Sequence, residues 1–328
     1  MADLSTRYMG LELQSPLVVA SSSLSNKIEN FQAAEASGAG AVVVRSLFEE
    51  QIEAAESELE EAVSFQSDAN PEARSYLPPQ RIGPREYLRL LDKAKKAVKI
   101  PVIASLNCAS PGSWSEYAKQ LEGAGADALE VNVYSVGADP AVSGEVIERE
   151  YLDIVNSVRK AVSVPIALKV SPYFTSFANV AKRFDDAGVN ALVLFNRFLQ
   201  PDIDLDRLAL HSSMQLSHSW EMLLPLRWTA ILYGRVKADL ATSTGVHDGA
   251  GVVKMVLAGA TVVQLAAALL RNGMSHLAAL RSDLEGWMER GRYSSLEDFR
   301  GTLSQKEAKD PRAFERAQYV NLILSQNM

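Results

Sequence analysis

Apolar and polar positions along this chain fall into a unit that repeats four times. The copies are Gly38-Ala39-Gly40-Ala41-Val42-Val43-Val44, Gly123-Ala124-Gly125-Ala126-Asp127-Ala128-Leu129-Glu130, Ala187-Gly188-Val189-Asn190-Ala191-Leu192-Val193-Leu194 and Ala258-Gly259-Ala260-Thr261-Val262-Val263-Gln264-Leu265. In each, a helix ends on a glycine because the position needs a left-handed backbone. The chain then enters a short apolar run, the pattern of a strand buried on both faces. A recurring helix–glycine–strand unit predicts parallel strands joined by helices.

Four more runs complete the set: Leu17 to Ser21, Pro101 to Asn107, Pro165 to Val170 and Lys237 to Ser243. Helices are predicted over Asn26–Ser37, Pro84–Val98, Ser113–Ala124, Ser143–Ala161, Phe177–Ala187, Leu224–Val236 and Gly249–Ala258. Eight strands over about 250 residues suit a closed barrel. A doubly wound sheet would carry a G-x-G-x-x-G turn after its first strand, and none is present. The expected fold class is α/β, a (β/α)8 TIM barrel. It has long insertions after strand two (Phe48 to Pro84) and strand six (Phe198 to Leu223). Long loops at this face form lids and substrate walls. Residues 1–283 are read as the barrel and 284–328 as a polar, helical tail packed on its outside.

Composition narrows the function classes. Of 328 residues, 47% are apolar and 22% charged, ordinary globular proportions, and the net charge is −7. Nucleic-acid binders are usually basic, and the one short basic run, Lys93 to Lys96, reads as a solvated helix end. The acidic run Glu49 to Glu61 reads as an exposed helix or loop. The single cysteine, Cys108, allows no intrachain disulfide and no cysteine-ligated cluster, and the four histidines lack zinc spacing. Cys108 reads as a small packed residue rather than a nucleophile. No signal-peptide pattern or membrane-length apolar run is present, so a cytoplasmic enzyme is expected, with no nucleic-acid or membrane partner.

Chemistry in such barrels sits where the strands end. Those ends read Ala20-Ser21-Ser22, Arg45-Ser46, Ser105 to Asn107, Asn132, Lys169, Asn196, Ser243-Thr244-Gly245 and Ala266-Ala267. A polar ring in an apolar barrel costs free energy unless something polar fills its centre. Lys169 is either ion-paired to Glu130 or another acid, or a cation facing an anionic ligand, or an amine of lowered pKa. The amides of Asn132 and Asn196 can cap loops or bind a planar heterocycle. Backbone NH groups in Ser243 to Gly249, at a turn and helix start, can bind phosphate, with His247 read as a loop residue. No hydrolase triad order or H-E-x-x-H motif appears.

These residues resemble the dihydroorotate dehydrogenase superfamily of FMN barrels, and within it the dihydroorotate dehydrogenase-like group. The resemblance covers roughly residues 6 to 275, with tail similarity to Gln318. Its motifs include Ser15-Pro16-Leu17-Val18-Val19-Ala20-Ser21, Ala104-Ser105-Leu106-Asn107, Glu130-Val131-Asn132-Val133-Tyr134 and Leu168-Lys169-Val170-Ser171-Pro172. Phe195 to Asp204 and Leu224-Pro225-Leu226-Arg227-Trp228 look particular to the like-protein group. The resemblance implies FMN held by Ala20, Ser21, Arg45, Asn107, Asn132, Lys169, Ser243, Thr244, Gly245, Ala266 and Ala267. It implies substrate contacts from Arg45, Asn132 and Asn196. Lys169 would stabilise reduced flavin, and Ser135 would be the catalytic base, needing a relay because serine alone is a poor one.

The chain also departs from the family pattern. Arg45 stands where a lysine is usual, and guanidinium and ammonium geometries differ. Gly137 replaces a substrate-contacting asparagine. Thr244-Gly245 replaces Gly-Gly, and Ala266-Ala267 replaces Gly-Thr, losing a hydroxyl donor. The Asn-x-Met-Gly substrate loop is not recognisable within Gln66 to Arg85. The expectation is hydride transfer between a CH–CH bond of a small, dihydropyrimidine-like substrate and FMN. A homodimer and an electron-transfer partner are also expected. Two other readings stand beside it: a flavin-free lyase using Lys169 as a Schiff base, and a flavin-binding or non-catalytic partner subunit.

Overall fold

The computed structural model describes residues 2–50, 83–107, 113–211 and 215–325. Eight parallel strands close into a barrel with helices between them. They are β3 (Leu17–Val19), β4 (Ala41–Val43), β6 (Val102–Asn107), β7 (Ala128–Asn132), β8 (Ile166–Val170), β9 (Ala191–Leu194), β12 (Asp239–Ser243) and β13 (Val262–Leu265). The ring closes through Val263 beside Leu17 and Val42 beside Val102. The short β5 (Leu47–Phe48) prolongs the rim beside β6. The repeat glycines Gly38, Gly125, Gly188 and Gly259 all take positive φ, so each repeat is a helix end feeding a strand.

Outer helices α1 (Ile28–Ala36), α2 (Pro84–Ala97), α3 (Ser113–Gly123), α4 (Gly144–Ala161), α5 (Phe177–Asp186), α6 (Leu223–Leu232) and α7 (Gly249–Ala258) follow the predicted order. The sixth stops at Leu232, short of the expected Val236, because the chain turns through Gly234 at φ 73°. Two further helices, α8 (Ala267–Asn272) and α9 (His276–Gly291), follow the last strand. The second of these runs across position 283, and Leu284, Met288, Leu296 and Phe299 belong to the main core. The terminal α10 (Arg316–Ser325) buries none of its residues.

Strand parity divides the core in two. Leu17, Val19, Val42, Val131 and Leu168 point outward to the helices. Val18, Ala41, Ile103, Ala128, Ala167, Ala191, Ala241 and Val262 form a separate inner cluster. Barrel interiors are usually filled by bulky branched residues. Here alanines dominate because an unpredicted N-terminal hairpin supplies the volume. Strands β1 (Thr6–Tyr8) and β2 (Leu11–Leu13) pair antiparallel across Met9-Gly10, both at positive φ as a tight two-residue turn demands. Tyr8, Met9 and Leu13 insert into the inner cluster. The Met9 N–H donates to Asp239 at 2.6 Å, and Arg300 donates to Thr6 at 2.8 Å. The floor is therefore plugged, and the opening lies at the other end.

The insertion expected after strand two falls largely outside the described residues, as does Cys108. After strand six the chain makes an antiparallel hairpin, β10 (Asp202–Asp204) with β11 (Ala209–His211), whose Ile203, Leu205, Leu208 and Leu210 are exposed.

Candidate active site

A cavity of about 640 Å³ opens at the C-terminal ends of the strands. Ala20, Ser21, Arg45, Asn107, Asn132, Lys169, Asn196, Ser243, Thr244, Gly245, Ala266 and Ala267 all line it. These residues come from all eight barrel strands or the turns that follow them.

On one side the wall is a chain of hydroxyls across neighbouring strands. Ser21 lies 3.2 Å from Ser46, which lies 2.7 Å from Ser105. Tyr87 of α2 donates to the Ser105 carbonyl and accepts from its N–H, each at 3.1 Å. Burial pushes the Tyr87 phenol well up from its ordinary value, so it remains a neutral donor. A run of small side chains ties three strands together and leaves a flat wall.

The bottom of the cavity, at the mouth end of the barrel, carries the buried charges. Glu130 is fully buried, with one carboxylate oxygen 3.3 Å from Lys169 Nζ and the other accepting from Gln264 Nε2 at 2.6 Å. Lys169 is thus in the ion pair weighed from the sequence, and it also lines the cavity. Asn132 sits opposite Lys169 in the ladder. Its Oδ1 and the Oε1 of Gln264 are buried without a partner among the described residues. Native interiors rarely leave such groups unmatched, so the bottom of the cavity offers acceptors to a ligand. Asn196 donates to the Val133 carbonyl at 3.1 Å, which holds the strand-six end against the strand-four end.

Arg45 is half-buried and forms no ion pair among the described residues. Arg197, also lining the cavity, is paired to Glu221 at 3.3 Å. The rim is aromatic: Tyr134 stacks on Phe198 with centroids 4.5 Å apart, and Tyr173 meets Phe198 edge-on at 4.9 Å.

The turn after strand seven has Thr244 at φ 83° and Gly245 at φ 79°. A side chain on Gly245 would place its Cβ 2.3 Å from the Met222 nitrogen, so the backbone approach is possible only for glycine. Ser217, from the insertion after strand six, accepts from the Gly245 N–H at 3.3 Å. The start of α7 differs from expectation. Asp248 caps it by accepting from Gly251 at 2.7 Å, so that N–H is already engaged by a carboxylate. The start of α8, by contrast, has no side-chain cap, and Ala266 and Ala267 face the cavity.

Ser135 is the predicted site residue that the structure does not bring to the cavity. It is exposed, and its backbone hydrogen-bonds the Tyr151 phenol, which burial pushes up to about 12. The ladder continues only to Val133, whose N–H donates to the Lys169 carbonyl. Beyond it, stacking of Tyr134 on Phe198 carries the chain over the rim. His247 does not line the cavity, and its pKa is lowered by desolvation.

Sequence reasoning missed Gln264, Tyr134 and Ser217 as cavity residues. Gln264 had a readable signal: it is the lone polar residue in Val262–Leu265, two positions from Ala266 and so on the same inward face. Ser217 had none, since its place depends on how the insertion folds back. Among the described residues no group of His, Cys, Asp and Glu is arranged to hold a metal ion. No helix among them is long and apolar enough to cross a membrane.

Fold and cavity define a barrel protein with a ligand site at the strand ends. The sequence comparisons give the family. The chain is 30% identical over 237 residues to a protein of Aeropyrum pernix provisionally named dihydroorotate dehydrogenase A (fumarate), spanning 67% of this chain and 72% of that one. It is 26% identical over 322 residues to the catalytic subunit of dihydroorotate dehydrogenase B (NAD(+)) of Thermoplasma acidophilum, spanning 92% and 99%. The same subunit of Methanothermobacter thermautotrophicus is 26% identical over 327 residues, spanning 91% and 97%. No family profile matches the chain. The chain belongs to the dihydroorotate dehydrogenase family.

Proposed function

We propose that the cavity binds FMN. On this reading the protein is a flavin-dependent oxidoreductase acting on the CH–CH bond of a small, dihydropyrimidine-like substrate. The observation that carries the reading is the convergence, in one cavity, of every residue matched to the family's flavin-contacting positions. The residues also fit the group chemically. Asn132 Oδ1 and Gln264 Oε1 are buried acceptors without partners, suited to the N–H edge of a planar heterocycle. The start of α8, which has no side-chain cap, leaves backbone donors for a phosphate.

When bound, FMN supplies the hydride-transfer chemistry. Ala20 and Ser21 would lie along its ring, Asn107, Asn132 and Lys169 would hold the ring's polar edge, and Ser243, Thr244, Gly245, Ala266 and Ala267 would hold its phosphate. Arg45, Asn132 and Asn196 would orient the substrate. Among the described residues the Arg45 guanidinium has no ion pair, which favours an anionic group there. Ser135 holds the family's position for proton transfer and would serve there only with the segment after Val133 folded inward over the cavity, so in the arrangement seen the role falls to its neighbour. Tyr134 already lines the cavity and is the other hydroxyl of that segment able to carry a proton.

The lyase reading needs a free amine at Lys169, and the ion pair with Glu130 opposes it. Several relatives are named as catalytic subunits. That supports an electron-transfer partner for this chain; a homodimer and a cytoplasmic location are proposed with it on family resemblance alone. The test is the absorption spectrum of the purified protein, followed by anaerobic flavin reduction with dihydroorotate and related dihydropyrimidines. Flavin bands that bleach with one of these are expected. A colourless protein that takes up no added FMN overturns the reading.

A further inference from the structure

The floor of the cavity contains a buried carboxylate to which no role has yet been given. Glu130 is wholly inaccessible, and it points inward from β7 by the same parity that places Asn132 at the cavity. Its two oxygens are used differently: one faces Lys169 at 3.3 Å, and the other is held by the Gln264 amide at 2.6 Å. Beneath it lies Tyr8 of the floor hairpin, whose buried hydroxyl has no partner among the described residues. Burial and the nearby negative charge of Glu130 raise that phenol well above its ordinary value. The Tyr87 phenol, on the hydroxyl wall, is raised by the same charge in addition to burial.

Lys169 has a flexible four-carbon stem and an ammonium with three rotatable donors. Lys169 is 7% exposed, and no other carboxylate pairs with it among the described residues. A buried ammonium needs a counter-charge to offset the cost of its desolvation, and Glu130 is the carboxylate within reach.

We propose that Glu130 is the positioning residue for Lys169. Anchored on its far oxygen by Gln264, it fixes the lysine as an ammonium aimed at the cavity, so the ligand meets a charged donor of restricted geometry. Glu130 does not itself touch the ligand. Its effect passes through Lys169. The inference rests on the proposed function only for what the ligand is, and its test needs no ligand.

The test is competitive labelling of the full-length protein with trace acetic anhydride at pH 8, read by mass spectrometry. The reactivity of Lys169 is expressed relative to exposed Lys99. Glu130→Gln removes the counter-charge while keeping the shape, and relative labelling should rise about tenfold or more, the gain in free amine expected when one close opposite charge is lost. Glu130→Asp keeps the charge and should stay within about twofold of the parent. Gln264→Leu frees one carboxylate oxygen and should give an intermediate rise of about two- to threefold. That variant also serves if Glu130→Gln does not fold. A merely structural role for Glu130 predicts equal labelling in all the variants that fold, whatever their melting temperatures. Unchanged labelling in both Glu130→Gln and Gln264→Leu, or an equal rise in Glu130→Asp, would overturn the proposal. The labelling result is independent of the spectrum, so loss of the flavin reading and loss of this inference are separate outcomes.

Discussion

The two ends of the barrel are built from the same strands with the same inward parity, yet they do opposite things. At the floor the inward residues are Ala41, Ala128, Ala167, Ala191 and Ala241, and the hairpin residues Tyr8 and Met9 fill the space between them. At the mouth the inward residues are Glu130, Asn132, Lys169, Gln264 and Ser243, and a cavity of about 640 Å³ remains open. At the floor Met9 N–H is held by Asp239, and Arg300 by Thr6 and Glu297, while the Tyr8 hydroxyl and Arg300 Nε are buried without a partner among the described residues. The mouth keeps, among the described residues, a guanidinium without an ion pair and two amide oxygens without a partner. Closing one end with the chain itself lets the polar residues of the other end be spent on a ligand. Stability and function are separated along one axis, as is general for this fold.

The largest effect should come from removing the plug. Tyr8→Ala leaves a large buried void and should lower stability by about 3–5 kcal/mol, measured by urea denaturation. FMN affinity of the folded fraction should change little. A comparable loss of FMN affinity would show that floor and mouth are not separable.

At the mouth, Gly245→Ala forces a Cβ against Met222 in a backbone with φ 79°. Strain of about 1–3 kcal/mol is expected, together with a clear loss of FMN affinity in a fluorescence titration. Normal FMN binding by a folded Gly245→Ala protein would remove this turn from the site.

A smaller effect concerns pH. Burial raises the Asp239 carboxyl above its ordinary value, against the opposing Met9 hydrogen bond. The native state therefore holds the proton more firmly than the unfolded chain, and this group's contribution falls as pH rises through the range just above its unfolded value. The stability difference between the parent and Asp239→Asn should shift in favour of the variant as pH rises from about 4 to 6. A flat difference would mean that Met9 and Arg300 fully offset the burial.

The smallest expected effect is at Ser135. Because it lies outside the cavity, Ser135→Ala should change flavin reduction by dihydropyrimidines less than about twofold, whereas Tyr134→Phe should slow it about 100-fold if the phenol carries the proton. The reverse order would show that the segment after Val133 closes inward during turnover.

Much of this was legible because it is local. A glycine at a helix end and a run of apolar residues after it are properties of eight consecutive positions, and they held at Gly38, Gly125, Gly188 and Gly259. The strand-end residues were legible for the same reason. Parity along a strand is fixed by backbone geometry, so Asn132 and Lys169 had to reach the same mouth once the strands were parallel. Only tertiary structure decided the rest. Gln264 meets Glu130 across 134 positions of chain, Arg300 meets Thr6 across 294, and Ser217 reaches Gly245 from a separate insertion. These contacts follow from ring closure and from how loops fold back, which no short window of sequence encodes. Ser135, expected at the cavity from its place in the motif, lies outside the lining, just beyond the point where Tyr134 stacks on Phe198.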